Sequence, residues 1–223
     1  MVTAVVAVRA GSTRVKNKNI RPFAGSSLLQ IKIRQLKQVA RVDEILVSSD
    51  SEEMLELARS EGAIARRRPD EYCDEKSRTF NEMVTYVASI EARGDLLLWA
   101  PCVCPLVGAQ RFSQAIAQYE ARCGQGAPCD SVVSAKLMQE YLFNEHGPVN
   151  FNVEHHVPSQ MLPRWHVITN GFFVAKRADM ARWGFVYGPR PNLLEVDKME
   201  SLDIDDMFDF QVAEQAYIAQ EKE

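Results

Sequence analysis

Short segments with apolar centres alternate with amphipathic ones four times over between residues 2 and 136. Residues 2–8, VTAVVAV, are unbroken and β-branched, the pattern of a strand buried on both faces. From Ser26, SSLLQIKIRQLKQVA sets Leu29, Ile33 and Leu36 on one helical face behind a serine cap. EILVSS from Glu44 is a second strand, ended by Asp50, and SEEMLELARSEG a helix stopped by Gly62. AIARR follows as a short strand, then TFNEMVTYVASIEARG as a helix running from Thr79 to Gly94. DLLLWA is a fourth, strongly buried strand, AQRFSQAIAQYEAR from Ala109 a helix, and DSVVSAK from Asp130 a fifth strand. This order predicts an α/β fold whose sheet is mostly parallel, with helices on both faces. At 223 residues the whole chain, 1–223, is expected to form a single domain.

Residues 137–165 break the rhythm with His146-Gly147-Pro148, several asparagines and two further prolines. They are expected to form an inserted arm that packs on a partner or overhangs the site. Regular structure resumes at HVITNGFFVAK, and LDIDDMFDFQVAEQAYIAQ closes the chain with a strand exit and a helix.

In such sheets ligands sit at the carboxyl ends of the strands, here Arg9, Ser48-Ser49-Asp50 and Ala100-Pro101-Cys102. The first of these ends is distinctive. The chain is acidic overall, with a formal net charge of −4, yet residues 9–21 carry Arg9, Arg14, Lys16, Lys18 and Arg21 and no acid. The loop is neither GxxxxGK[ST] nor GxGxxG. A Gly11-Ser12 turn points backbone N–H groups at an anion, and several cations on one short loop suit a triphosphate. A solvated basic loop is the plainer alternative.

A second signal lies near the far end. Asp203 and Asp205 stand two apart in an extended LDID segment, so their carboxylates share a face. Such a pair repels unless a cation lies between, and Mg²⁺ is usually held by one or two carboxylates plus phosphates. Helix capping is the competing use of aspartates here, and Asp206 and Asp209 are better placed for it.

Composition narrows the classes further. With 46% hydrophobic and 25% charged residues, the chain reads as an ordinary globular one. No apolar run approaches the roughly 20 residues of a membrane span, and the first run lacks a cationic start and a cleavage site. No membrane partner is expected, nor a nucleic acid, since the basic cluster is local. Five cysteines, an odd number without disulfide-type spacing, suggest a reducing, cytoplasmic setting. Cys102 and Cys104 read as half a metal site that no second close pair completes.

R-A-G-S-T-R-x-x-x-K-N-I after the first strand resembles the signature loop of the CMP-sialic acid synthetases, or acylneuraminate cytidylyltransferases. Val47-Ser48-Ser49-Asp50, Arg68-Pro69, Asn170-Gly171 and the LDIDDMFDFQVAE ending resemble that family in the same order along nearly the whole chain. The resemblance implies a Rossmann-like nucleotidyltransferase that couples CMP from CTP to the anomeric hydroxyl of a 2-keto-3-deoxy nonulosonic acid and releases pyrophosphate. It places Arg9, Ala10, Gly11, Ser12, Arg14, Lys18 and Asn19 on the nucleotide, with Arg68 and Ser77 near the base. Arg9, Arg14, Lys18 and Asp205 would carry catalysis, and Asp203 and Asp205 would hold Mg²⁺. Cys104, Gln160, Arg164 and Asn170 fall on the sugar side. It also implies a homodimer, with 137–165 as the dimerisation arm.

The chain departs from the pattern at Thr13, where many members have lysine, and at V-C-P-L, where the family has T-S-P-L. Two alternatives follow: a nucleotidyltransferase for another sugar, such as a Kdo-like acid or a sugar phosphate, or a catalytically silent nucleotide binder.

Overall fold

The computed structural model describes residues 1–74, 76–124 and 126–220. Strand β1 (Val2–Ala7) leads through the cationic loop to a small hairpin, β2 (Pro22–Phe23) and β3 (Ser26–Ser27), and then to helix α1 (Leu28–Lys37). There follow β4 (Glu44–Ser49), α2 (Glu52–Ser60), β5 (Ile64–Arg67), α3 (Phe80–Tyr86), β6 (Leu96–Trp99), α4 (Ala109–Arg122) and β7 (Ser131–Met138). Strands β8 (Phe143–Asn144) and β9 (Gly147–Pro148) form a hairpin before β10 (Trp165–Lys176), α5 (Arg177–Trp183), β11 (Pro191–Glu195) and α6 (Met207–Gln220).

Seven strands make one sheet in the order β11-β7-β10-β6-β1-β4-β5. β1 lies parallel to both β4 and β6, β4 to β5, and β7 to β11. β10 runs antiparallel to both β6 and β7. The expected mostly parallel α/β sheet is therefore present, with one reversed strand inserted into it. Local pattern says that β10 is a strand, but its direction follows from the chain returning along the ribbon that it shares with β7.

The unbroken apolar strands are explained by helices on both faces. Ala4 and Val6 of β1 face a core with Leu29 and Ile33 of α1, Met54 of α2, Phe112 of α4 and Phe210 of α6. Val5, between them, faces a second core with Val84 of α3, Val87 and Met180 of α5. The helix starts use the expected devices. Ser27 accepts from the Gln30 backbone N–H, Ser51 from that of Met54, and Thr79 and Glu82 form a reciprocal capping box. The helix expected over 79–94 is α-helical only to Tyr86, and a π turn, Val87–Glu91, completes it.

β7 and β10 extend beyond the sheet as a ribbon in which Trp165 faces Met138, so the irregular segment starts and ends slightly inside the expected 137–165 limits. It is tied back by Gln139 Nε2, which donates to the Gln160 and Leu162 carbonyls, and by Tyr141, which packs edge-on to Phe151 and stacks on His156. The cysteine reading needs correction. Cys123, at the end of α4, and Cys129, just before β7, form a disulfide across a six-residue separation with Cα atoms 4.8 Å apart. The turn between the two elements brings them together, which spacing alone did not reveal. Cys73, Cys102 and Cys104 are free. Among the described residues, no helix is long and apolar enough to cross a membrane.

Candidate active site

The loop after β1 is shaped by its own sequence. Val15 is buried and anchors it to the core, Gly11 takes a left-handed φ of +77°, and the Ala10 N–H donates to Asp50 Oδ1 at 2.8 Å. With Val15 pinned, the five cations divide. Arg9, Arg14 and Lys18 line a crevice of about 300 Å³ at the carboxyl ends of β1 and β6. Lys16 and Arg21 instead border a separate hollow beside Phe210 and Glu214. The acid-free run thus serves the crevice with three of its cations.

Ser12, Thr13, Asn19, Arg68, Cys102 and Asp205 complete much of the crevice wall. Arg14 pairs with Asp205 at 2.8 Å, both side chains well exposed. Lys18 Nζ donates to the Ile204 carbonyl at 2.6 Å, between the two aspartates. On the other side the Ile204 N–H donates to the Val103 carbonyl at 3.0 Å. The segment that carries the carboxylate pair is therefore held between the cationic loop and the turn that follows β6. Burial pulls the Lys18 pKa down, against the nearby Asp203 and Asp205 charges. Burial pushes the Asp203 carboxyl up, and the neighbouring Asp205 charge adds to this, while a hydrogen bond from Asn170 Nδ2 at 2.7 Å opposes it. Asp206 and Asp209 are occupied otherwise: Asp206 caps the Phe208 and Asp209 N–H groups, and Asp209 accepts from the Asp205 and Asp206 N–H groups.

Several expected residues have other surroundings. Arg68 lines the crevice but is 2% exposed. Its guanidinium is committed to the Val8 carbonyl (2.7 Å), Ser48 Oγ (2.9 Å) and Cys73 Sγ (3.0 Å), so it clamps the ends of β1 and β4. Ser77 stands on the surface, donating to Asp74. Cys104 has no exposed surface, and burial pushes its thiol up to about 12. It is a core residue and its side chain does not face the crevice. Gln160 and Arg164 belong to the arm and its exit. Arg164 pairs with Glu195 at 2.9 Å, and neither residue lines this crevice.

The sequence reading missed Tyr72, Phe80 and Met83, which line the crevice opposite the loop. Tyr72 stacks on Tyr86 with ring centroids 4.4 Å apart, and the Arg78 guanidinium lies over its ring. Their signal was positional, since they follow the carboxyl end of β5. An apolar hollow of about 400 Å³ adjoins the crevice, sharing Ala7, Phe80, Met83 and Pro101, and includes Asn170 and Phe185.

The donor set suits a hard divalent cation. Asp205 lines the cationic crevice, and Asp203 stands two residues before it, bonded to Asn170 of the adjoining hollow and destabilised as an anion by burial and by the Asp205 charge. No group of three His, Cys, Asp or Glu poised for a metal occurs among the described residues. Mg²⁺ needs only one or two carboxylates where phosphates complete its shell.

A mixed α/β sheet with a cationic strand-end loop facing paired carboxylates is the arrangement of a nucleotidyltransferase. Residues 3–123 match the cytidylyltransferase family model, and the chain belongs to that family. Over 220 residues it is 23% identical to the pseudaminic acid cytidylyltransferase of Campylobacter jejuni, covering 96% of this chain and 94% of the relative. It is 24% identical to the N-acylneuraminate cytidylyltransferase of Escherichia coli, covering 95% of this chain but 51% of that longer protein. Its fold resembles a CMP:2-keto-3-deoxy-manno-octonic acid synthetase solved with CTP, with a TM-score of 0.70, 13% identity and 99% of each chain covered. The family expected from the loop and the LDID segment is thus the family found.

Proposed function

We propose that this enzyme transfers CMP from CTP to the anomeric hydroxyl of a 2-keto-3-deoxy nonulosonic acid and releases pyrophosphate. The carrying observation is the meeting of Arg14 with Asp205 and of Lys18 with Ile204. It brings the phosphate-type loop and the LDID segment, some 190 residues apart in sequence, together, with Asp205 in the crevice wall and Asp203 beside it. The names of two relatives that match nearly the whole of this chain, a pseudaminic acid and an N-acylneuraminate cytidylyltransferase, support the acceptor class.

In this reading the triphosphate lies along Ser12, Arg14 and Lys18, with the base toward Tyr72 and Phe80. The acceptor's anomeric oxygen attacks the α-phosphorus, the bond to the β-phosphate oxygen breaks with pyrophosphate leaving, and the hydroxyl proton passes to solvent water. Such transfer needs positioning and charge neutralisation rather than a protein nucleophile. Arg9, Arg14 and Lys18 neutralise the departing pyrophosphate, and Asn170 orients Asp203. Mg²⁺, held by Asp203 and Asp205, would lower the pKa of the attacking hydroxyl and offset phosphate charge.

The enzyme acts as a homodimer in this proposal. The arm exposes Phe143 (64%), Val153 (65%) and Met161 (70%), an apolar surface suited to a second copy. Gln160 and Arg164, which lie off their own crevice, would then serve the partner's acceptor site.

The test crosses the four nucleoside triphosphates with a panel of 2-keto-3-deoxy acids and sugar phosphates, reading pyrophosphate release with Mg²⁺. Release with CTP and a nonulosonic acid, abolished by Asp203→Asn with Asp205→Asn, is expected. Release with Kdo or a sugar phosphate alone would overturn the acceptor class. CTP binding without any release would leave a silent binder.

A further inference from the structure

The pairing of β10 with β7 slips once. Ile168 faces Ala135, but Phe173 faces Val133, so Thr169–Phe172 bulge opposite the single residue Ser134. Ser134 is fully buried and its hydroxyl fills the inside of this bulge. It accepts from the Gly171 N–H at 3.1 Å, the Phe172 N–H at 3.0 Å and the Thr169 hydroxyl at 2.8 Å. Its own proton faces the Thr169 carbonyl at 3.1 Å. A Cβ on Gly171 would meet Ser134 Oγ at 3.0 Å and the Val107 side chain at 3.1 Å, so the bulge is seated tightly on the serine. Asn170 stands at its crest, and from there its amide reaches Asp203 Oδ2 at 2.7 Å.

Two buried N–H groups in a bulge have no ladder partner and need an acceptor. Ser134 supplies it from the facing strand. An apolar residue there would leave both unsatisfied, and the bulge would be driven to re-register. An odd slip in register moves side chains to the opposite face.

We propose that Ser134 is a positioning residue for the carboxylate pair. Its hydroxyl holds the β10 bulge in the shape that presents the Asn170 amide to Asp203. This rests on the reading of Asp203 as a divalent-cation ligand.

The experiment is a double-mutant cycle of Ser134→Ala and Asn170→Ala. It is read as Mn²⁺ affinity in the presence of CTP by electron paramagnetic resonance, and as kcat/KM for transfer. Partners that orient metal ligands are typically worth 10–100-fold. Each single variant is expected to weaken Mn²⁺ by about tenfold, and the double variant to be no worse than Asn170→Ala. Losses that multiply would show that Ser134 acts on the fold alone and overturn the proposal, as would unchanged Mn²⁺ affinity in Ser134→Ala. If Ser134→Ala does not fold, Thr169→Val, which removes one hydroxyl of the same network, takes its place in the cycle. Wild-type protein that binds Mn²⁺ and CTP but transfers to no acid would overturn the proposed function, while the Mn²⁺ cycle still decides the role of Ser134. Wild-type protein that binds no Mn²⁺ beyond CTP itself would overturn both the metal reading and this proposal.

Discussion

Lys32 is fully buried in α1. Its ammonium donates to the carbonyls of Cys104 (3.1 Å) and Val107 (3.4 Å) and lies 4.8 Å from the Phe112 ring centre. Burial pulls its pKa from 10.5 down to about 8. Between these values the unfolded chain binds more protons than the folded one, so this group adds stability as pH rises from about 8 to 10.5. Buried Cys102 and Cys104 act oppositely. Their thiols rise from 9 to about 12, so they cost stability as pH climbs through that range. Comparison with Lys32→Met removes the thiol contribution. Wild type is expected to gain on the variant by on the order of 3 kcal/mol between pH 7.5 and 10.5 in urea unfolding. A flat difference would refute the buried-charge reading. At the crevice rim, Arg14→Gln is expected to lower kcat/KM by about 10²-fold with the unfolding midpoint unchanged, because exposed ion pairs contribute little stability.

At the scale of elements, α6 begins where the carboxylate pair ends. Asp206 caps its first turn, and Asp209 reaches back to the Asp205 N–H at 3.0 Å. The cap therefore fixes the backbone of a site residue as well as the helix. Asp206→Ala is expected to cost about 1 kcal/mol of stability by chemical denaturation. Asp209→Ala should add a loss of transfer activity larger than its loss of stability explains. Both strand ends and caps were legible in the sequence, because buried strands and capping serines and aspartates are local patterns. The bulge in β10 was not. Its cause, Ser134, lies 35 residues away from Thr169 and reads locally as one more strand residue.

For the whole molecule, the arm carries the main expectation. Phe143→Asp with Val153→Asp should convert a dimer to monomer in sedimentation experiments, with the isolated domain still folded. Mixing an Asp203→Asn variant with an Arg164→Ala variant should restore activity above either alone, since a mixed dimer would contain one intact site. A protein that sediments as a monomer at every concentration would end that reading. The strand–helix order, the crevice at the strand ends, the cationic loop and the Asp203–Asp205 pair were all determined by sequence. Each follows from short-range periodicity, or from charges too concentrated to be surface filler. Only the tertiary structure decided that β10 runs antiparallel, that Cys123 joins Cys129, and that Lys16 and Arg21 turn away from the crevice. It also decided that Arg68 is a buried clamp and that Cys104 is core. These outcomes depend on which distant backbone carbonyls and apolar surfaces meet a side chain, and packing sets that rather than the neighbours along the chain.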